Sequence, residues 1–156
     1  MILNKQKKVR LATRPLQEFL RKTQRELKIV NSEITIAFVS QAEIARWNEA
    51  YRRKKGPTDV LSFPATAGAS HGAPVLPKAY SCSPLVTRHS PLFLGDIAIA
   101  PETAKRYAKK NGRTLSSEIR VLMLHGVLHL MGYDHESDQG QMNRIEQKLR
   151  RRLGIA

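Results

Sequence analysis

The chain has 156 residues, 41% of them hydrophobic, enough to bury a core without disulfides and too many for disorder throughout. A single cysteine, Cys82, excludes an intramolecular disulfide, and no apolar run reaches the length of a membrane span. Against 13 Asp and Glu stand 27 Lys and Arg, a formal net charge of +14, which points to a polyanionic partner, most commonly nucleic acid.

The N-terminal stretch MILNKQKKVRLA has no apolar core of signal-peptide length, so the protein is expected in the cytoplasm. A helical pattern starts at Thr13, with Pro15 in its first turn and Leu16, Phe19, Leu20 and Leu27 on one face. EITIAFVS alternates, placing Ile34, Ile36 and Phe38 on one side of a strand. Ser40 followed by Glu43 is a capping-box pattern opening a helix through Ile44, Trp47 and Tyr51. RRKKGPTD ends that helix, with Gly56 and Pro57 as the breakers.

VLSFP reads as a short strand. From about 65 to 92 the composition turns to Gly, Ala, Ser, Pro and His without a period, a long irregular loop. His71, Cys82 and His89 within it could each bind metal in isolation, but nothing fixes their mutual geometry, so they read as ordinary loop residues. FLGDIAIA gives another strand and PETAKRYAKKNG a helix with Pro101 at its start. TLSSEIRVLMLHGVLHLMG is the longest helical candidate, closed by Gly132, and a last helix is expected from around Asp138 to Leu153. The order implies one α+β domain over 1–156, a small mixed sheet packed by helices. The basic residues gather in blocks, KQKKVR, RRKK, KRYAKKNGR and KLRRR, without zinc-finger spacing or the aromatic signature of an RNA-recognition motif.

Three of the five histidines fall in HGVLHLMGYDH. His125 and His129 are four residues apart, hence on one face of a helix that is apolar nearly all round. A lone histidine in such a place is usually a hydrogen-bonded core residue. Burial favours neutral imidazole, the form that ligates metal, and Gly132 lets the chain turn back so that His135 can approach the pair. His-x3-His-x2-Gly-x2-His is the zinc spacing of the metzincins. Three histidines leave a fourth position for water, the pattern of a catalytic site, and Asp134, Glu136 and Asp138 are the carboxylates near enough in sequence to fill it instead. Metalloproteases carry a glutamate directly after the first histidine as general base; here that residue is Gly126, which weakens peptide hydrolysis as a reading.

HGVLHLMGYDH resembles the signature of the YbeY endoribonuclease family, the bacterial rRNA maturation factors. WNEAYRRKKGPTDVLSFP and LGDIAIAPETA resemble two further blocks of that family, in the expected order. The resemblance implies a zincin-like α+β fold with the metal site on a buried helix and the turn after it. It implies zinc-dependent cleavage of single-stranded RNA, one ion per chain, in maturation of the 16S rRNA 3′ end and in ribosome quality control. Carried over, the metal ligands are His125, His129 and His135, and the family's functionally important arginine falls on Arg52. The implied partners are rRNA precursor and the small ribosomal subunit, with ribosomal proteins or an assembly GTPase as further candidates and no membrane. The segment between Pro64 and Leu94 departs from the family by its length.

On the residues alone, Arg52 is an arginine at a helix end satisfying carbonyls. Toward a phosphodiester its guanidinium would offer two donors to developing negative charge. Thr58, Asp59 and Ser62 follow closely and are candidates to line the same cleft; Gly-Pro-Thr-Asp is also simply a good turn. Asp96 is either a carboxylate partner for a histidine or an edge residue. Two readings compete with the nuclease: a zinc amidohydrolase or protease, against which the charge argues, and a non-catalytic ribosome assembly factor with a structural metal, against which the open coordination position argues.

Overall fold

The computed structural model describes residues 1–65, 93–136 and 138–155. The elements are β1 (Ile2–Asn4), α1 (Thr13–Glu26), β2 (Glu33–Phe38), α2 (Gln41–Arg52), β3 (Val60–Pro64), β4 (Phe93–Ile99), α3 (Pro101–Lys110), α4 (Leu115–Leu130) and α5 (Gln141–Leu153). The strands form one sheet in the order β1-β2-β4-β3. β1, β2 and β4 are parallel neighbours, and β3 runs antiparallel to β4 along the edge. The α+β class and the mixed sheet packed by helices are as the sequence led one to expect. The expected loop from about 65 to 92, with His71, Cys82 and His89, lies outside the described residues beyond its first position.

Strand alternation decides which helices cover which face. Ile97 and Ile99 of β4 join Ile34, Ile36 and Phe38 of β2 in the larger core cluster, with Leu16, Phe19 and Leu20 of α1 and Ile119, Met123 and Val127 of α4. Residues of the opposite parity, Ala37, Val39 and Ala98, pack with Ile44 and Trp47 of α2 and with Leu61 and Phe63 of β3. α4 touches β3 and β4 as well as α1, α3 and α5, which explains why its sequence shows no polar face.

Two glycines set the distance between α4 and the sheet. A Cβ on Gly126 would lie 2.9 Å from both Cδ1 and Cγ2 of Ile97. Gly95 has φ +143°, and a Cβ there would lie 2.3 Å from the carbonyl oxygen of Phe63 and 2.8 Å from Cδ2 of Leu130. The last turn of α4 is thereby seated against β3 and β4.

The helix ends follow the sequence signals closely, with two exceptions. The capping box forms as expected: Ser40 Oγ accepts the Glu43 N–H, and Glu43 accepts the Ser40 N–H. At the end of α4 the Gly132 N–H donates to the His129 carbonyl and the Tyr133 N–H to the Leu128 carbonyl, with Gly132 at φ +94°. α2, however, stops at Arg52, before Gly56 and Pro57 are reached. Arg53 turns left-handed at φ 55°, and the buried Asn48 amide donates to the Gly56 carbonyl at 3.0 Å, so a side chain organises the stop. α5 begins at Gln141 and not near Asp138, because the Asp138 carboxylate accepts the backbone N–H groups of Gly140 and Met142. β1 was not foreseen; at three residues it is too short to show a period, and pairing with β2 defines it. No helix among the described residues is long and apolar enough to cross a membrane.

Candidate metal centre

One helical turn separates His125 from His129 on α4, and the glycine turn at Gly132 brings His135 back beside them. The His125 ring centroid is 4.7 Å from that of His129 and 4.8 Å from that of His135, and the His129–His135 distance is 5.6 Å. One nitrogen can be taken from each imidazole so that all three lie within 4.8 Å of one another. Among the described residues this is the His, Cys, Asp and Glu cluster able to hold a metal ion. His125 and His129 are partly buried and His135 is exposed, so the cluster faces outward at one side.

The electrostatics favour neutral imidazole at His129. Burial lowers the pKa of His129 below its ordinary 6.5, and the neighbouring His125 and His135 lower it further by like-charge repulsion. Its Nε2 lies 3.1 Å from Nε2 of His125. On its other side, His125 Nδ1 is 2.9 Å from Oε2 of Glu146, a residue of α5 that is only 5% exposed. Arg150 donates to the second oxygen of the same carboxylate. Burial by itself would raise the Glu146 pKa, but the hydrogen bond with His125 and the charge of Arg150 outweigh it and hold Glu146 below the usual carboxylate value.

The carboxylates that the sequence placed near the histidines behave differently from one another. Asp138 caps the start of α5, and Asp134 Oδ1 accepts the Glu136 N–H. Asp96 is not an edge residue. β4 is internal to the sheet, and Asp96 pairs with Phe63 and shares its parity with Ala98, on the α2 face. A carboxylate in direct contact with His125 is Glu146, which sequence reasoning missed. Its signal was faint: among Met142, Leu149 and Leu153 it is the one charged residue in the inward stripe of α5.

The histidines line a cleft of about 600 Å³ together with Tyr51 and Arg52 of α2, residues 60–64 of β3 and residues 132–136 after α4. Arg52 and the histidines thus meet in one cavity, and Ser62 lines it, whereas Thr58 and Asp59 do not. Thr58 Oγ1 bonds to Asp59 Oδ1 at 3.3 Å, and the Asp59 carbonyl accepts the Ala100 N–H, so these two serve the turn. Tyr51 is 44% exposed at the rim and packs edge-on against Phe63. Gly126 is buried against Ile97, so the position that holds the general base in metalloproteases is turned toward the sheet.

A three-strand parallel unit with an antiparallel edge, packed by helices and presenting three imidazoles in an open cleft, defines a class of α+β proteins with a metal-competent histidine centre. Within it, this chain belongs to the YbeY endoribonuclease family. The family profile described as Endoribonuclease YbeY matches residues 1–154. A protein named Endoribonuclease YbeY from Koribacter versatilis is 35% identical over 155 residues, covering 99% of this chain and 86% of the relative. One of the same name from Solibacter usitatus is 36% identical over 140 residues, 90% of this chain and 78% of the relative. The solution structure of TM1509 from Thermotoga maritima superposes with a TM-score of 0.60 at 25% identity, over 98% of this chain and 89% of that one.

Proposed function

We propose that this protein is a zinc-dependent endoribonuclease that cleaves single-stranded RNA in maturing the 3′ end of small-subunit rRNA and takes part in ribosome quality control. Family membership supports the reaction class, a nuclease hydrolysing phosphodiester bonds. The observation that carries the reading is the placing of His125, His129 and His135 in one cleft with Arg52. Zinc suits the donor set: three imidazole nitrogens, one of them on a residue biased toward its neutral form, and an exposed side where water can enter. His125, His129 and His135 would hold the ion, one per chain, in a zincin-like arrangement on α4 and the turn after it. When bound, it supplies Lewis acidity toward the phosphodiester and the attacking water.

The remaining chemistry belongs to the chain. Arg52 offers two parallel donors to non-bridging phosphate oxygens and stabilises the charge that builds on them. RRKK at 52–55 is exposed beside the cleft and extends that positive field along the RNA backbone. The seating of Gly126 against Ile97 argues against a protease, since no side chain at that position could reach a substrate. The net charge of +14 fits rRNA precursor and the small subunit as partners, with ribosomal proteins or an assembly GTPase at the same particle, in the cytoplasm. Metal-loaded protein should cut single-stranded RNA, leave duplex RNA and casein intact, and lose activity in the His125→Ala/His129→Ala double variant. Cleavage of casein without RNA, or RNA cleavage that survives the double variant, would overturn the proposal.

A further inference from the structure

We propose that Glu146, held by Arg150, is a positioning residue that locks His125 in the Nδ1–H tautomer and so aims its Nε2 lone pair into the histidine cluster. The inference rests on the reading that the three histidines hold a metal, and adds to it a residue on a different helix that prepares one of them.

The geometry starts from an anomaly of burial. Met142, Glu146, Leu149 and Leu153 form the inward stripe of α5, and a carboxylate in such a stripe is costly unless both oxygens find partners. Here both do: Oε2 meets His125 Nδ1 at 2.9 Å and Oε1 takes a guanidinium N–H of Arg150. A carboxylate paired with arginine can only accept, so the proton on that bond must sit on His125 Nδ1. In the neutral ring the other nitrogen then carries the free lone pair. It is Nε2 that lies 3.1 Å from His129 Nε2, inside the cluster. His135 Nε2 is 3.5 Å from the same Nδ1, a longer alternative to the carboxylate.

The arrangement has a recognisable purpose. An imidazole free to choose its tautomer presents the wrong nitrogen part of the time, and a ring free to rotate pays orientational entropy on binding. A carboxylate behind the ring removes both losses and makes the donor nitrogen more basic, and its removal typically costs about 10–100-fold in metal affinity. Arg150, one turn further along α5, keeps the carboxylate from swinging away, since it occupies the oxygen that does not face the histidine.

The test measures zinc affinity of the full-length protein by chelator competition, together with imidazole ¹H–¹⁵N spectra of the metal-free protein. Glu146→Ala should weaken zinc binding about 10–100-fold. Glu146→Gln should lose less, because the amide oxygen can still accept from Nδ1–H, although its NH2 then faces Arg150. Leu149→Ala, a buried truncation on the same helix, controls for loss of packing: it should lower thermal stability and leave zinc affinity unchanged. The spectra should show His125 protonated at Nδ1 in the wild type and in Glu146→Gln, and at both nitrogens in exchange in Glu146→Ala. Should Glu146→Ala not fold, the wild-type and Glu146→Gln spectra still decide. Wild-type affinity in Glu146→Ala, an equal loss in Leu149→Ala, or Nε2–H on His125 in the wild type would each overturn the inference. Neither readout uses RNA, so failure of the nuclease assignment would register separately, as absence of cleavage with this affinity pattern intact.

Discussion

The contact between Gly126 and Ile97 allows a prediction whose sign depends on the neighbour. Replacing Gly126 by alanine should favour the helix by about 1 kcal/mol, the propensity difference between the two residues. Against that stands the added methyl, 2.9 Å from two carbons of Ile97. Ile97 is 0% exposed and β-branched, so its Cγ2 cannot move without leaving its rotamer. Overpacking of this kind costs about 1–3 kcal/mol, which leaves Gly126→Ala destabilised by roughly 1 kcal/mol net. In an Ile97→Ala background, itself about 2–5 kcal/mol less stable, the three carbons that meet the methyl are gone. There the same Gly126→Ala change should stabilise by about 1 kcal/mol, giving a coupling of roughly 2 kcal/mol between the sites. Urea unfolding of the four proteins, compared at equal m-values, reads this directly. A stabilising Gly126→Ala in the wild-type background would mean that α4 stands off from β4 and that the reasoning about the glycine is wrong. Since His125 precedes Gly126, the single variant should also lose RNA cleavage, and the double variant should recover part of it.

The cleft position of Arg52 gives a graded series: Arg52→Lys should cleave RNA more slowly than wild type and Arg52→Glu not at all, at constant zinc content, and wild-type cleavage by Arg52→Glu would remove it from the mechanism. Gly95→Ala combines a φ of +143° with a backbone oxygen 2.3 Å away, so it should cost roughly 3 kcal/mol or more in a urea unfolding curve. The N–H of Met142 foremost, with those of Gly140 and Gln141, holds Asp138 below its ordinary 3.8. A depressed carboxylate contributes its stability above pH 3.8 and loses it as pH falls through the lower folded value, so thermal melts of Asp138→Asn should show a weaker fall in that acid range than the wild type. RNA binding should weaken with salt, log affinity against log concentration gaining a slope of about 0.7–0.9 for each phosphate neutralised, and a flat response would assign the charge to another purpose.

Much of this protein was legible because much of it is local. The capping box at Ser40 and Glu43, the placing of His125 and His129 on one face and the glycine turn at Gly132 each depend on residues within a few positions of one another. Backbone geometry alone then determines what they do. The same locality explains the two helix ends whose signals the sequence did not show and the strand it did not foresee. α2 stops where the buried Asn48 amide holds the Gly56 carbonyl, α5 starts where Asp138 spends its carboxylate on backbone N–H groups, and β1 exists through its pairing with β2. Tertiary structure decided what lies across the site: which side of the sheet Asp96 occupies, that Ser62 lines the cleft and Thr58 does not, and that Arg52 shares it with the histidines. Above all it placed Glu146 behind His125, 21 residues away on another helix. Periodicity reports that a residue points inward but not what it meets there, because the meeting partner is set by how two elements pack, and a carboxylate in an apolar stripe reads as an error until the opposing nitrogen is found.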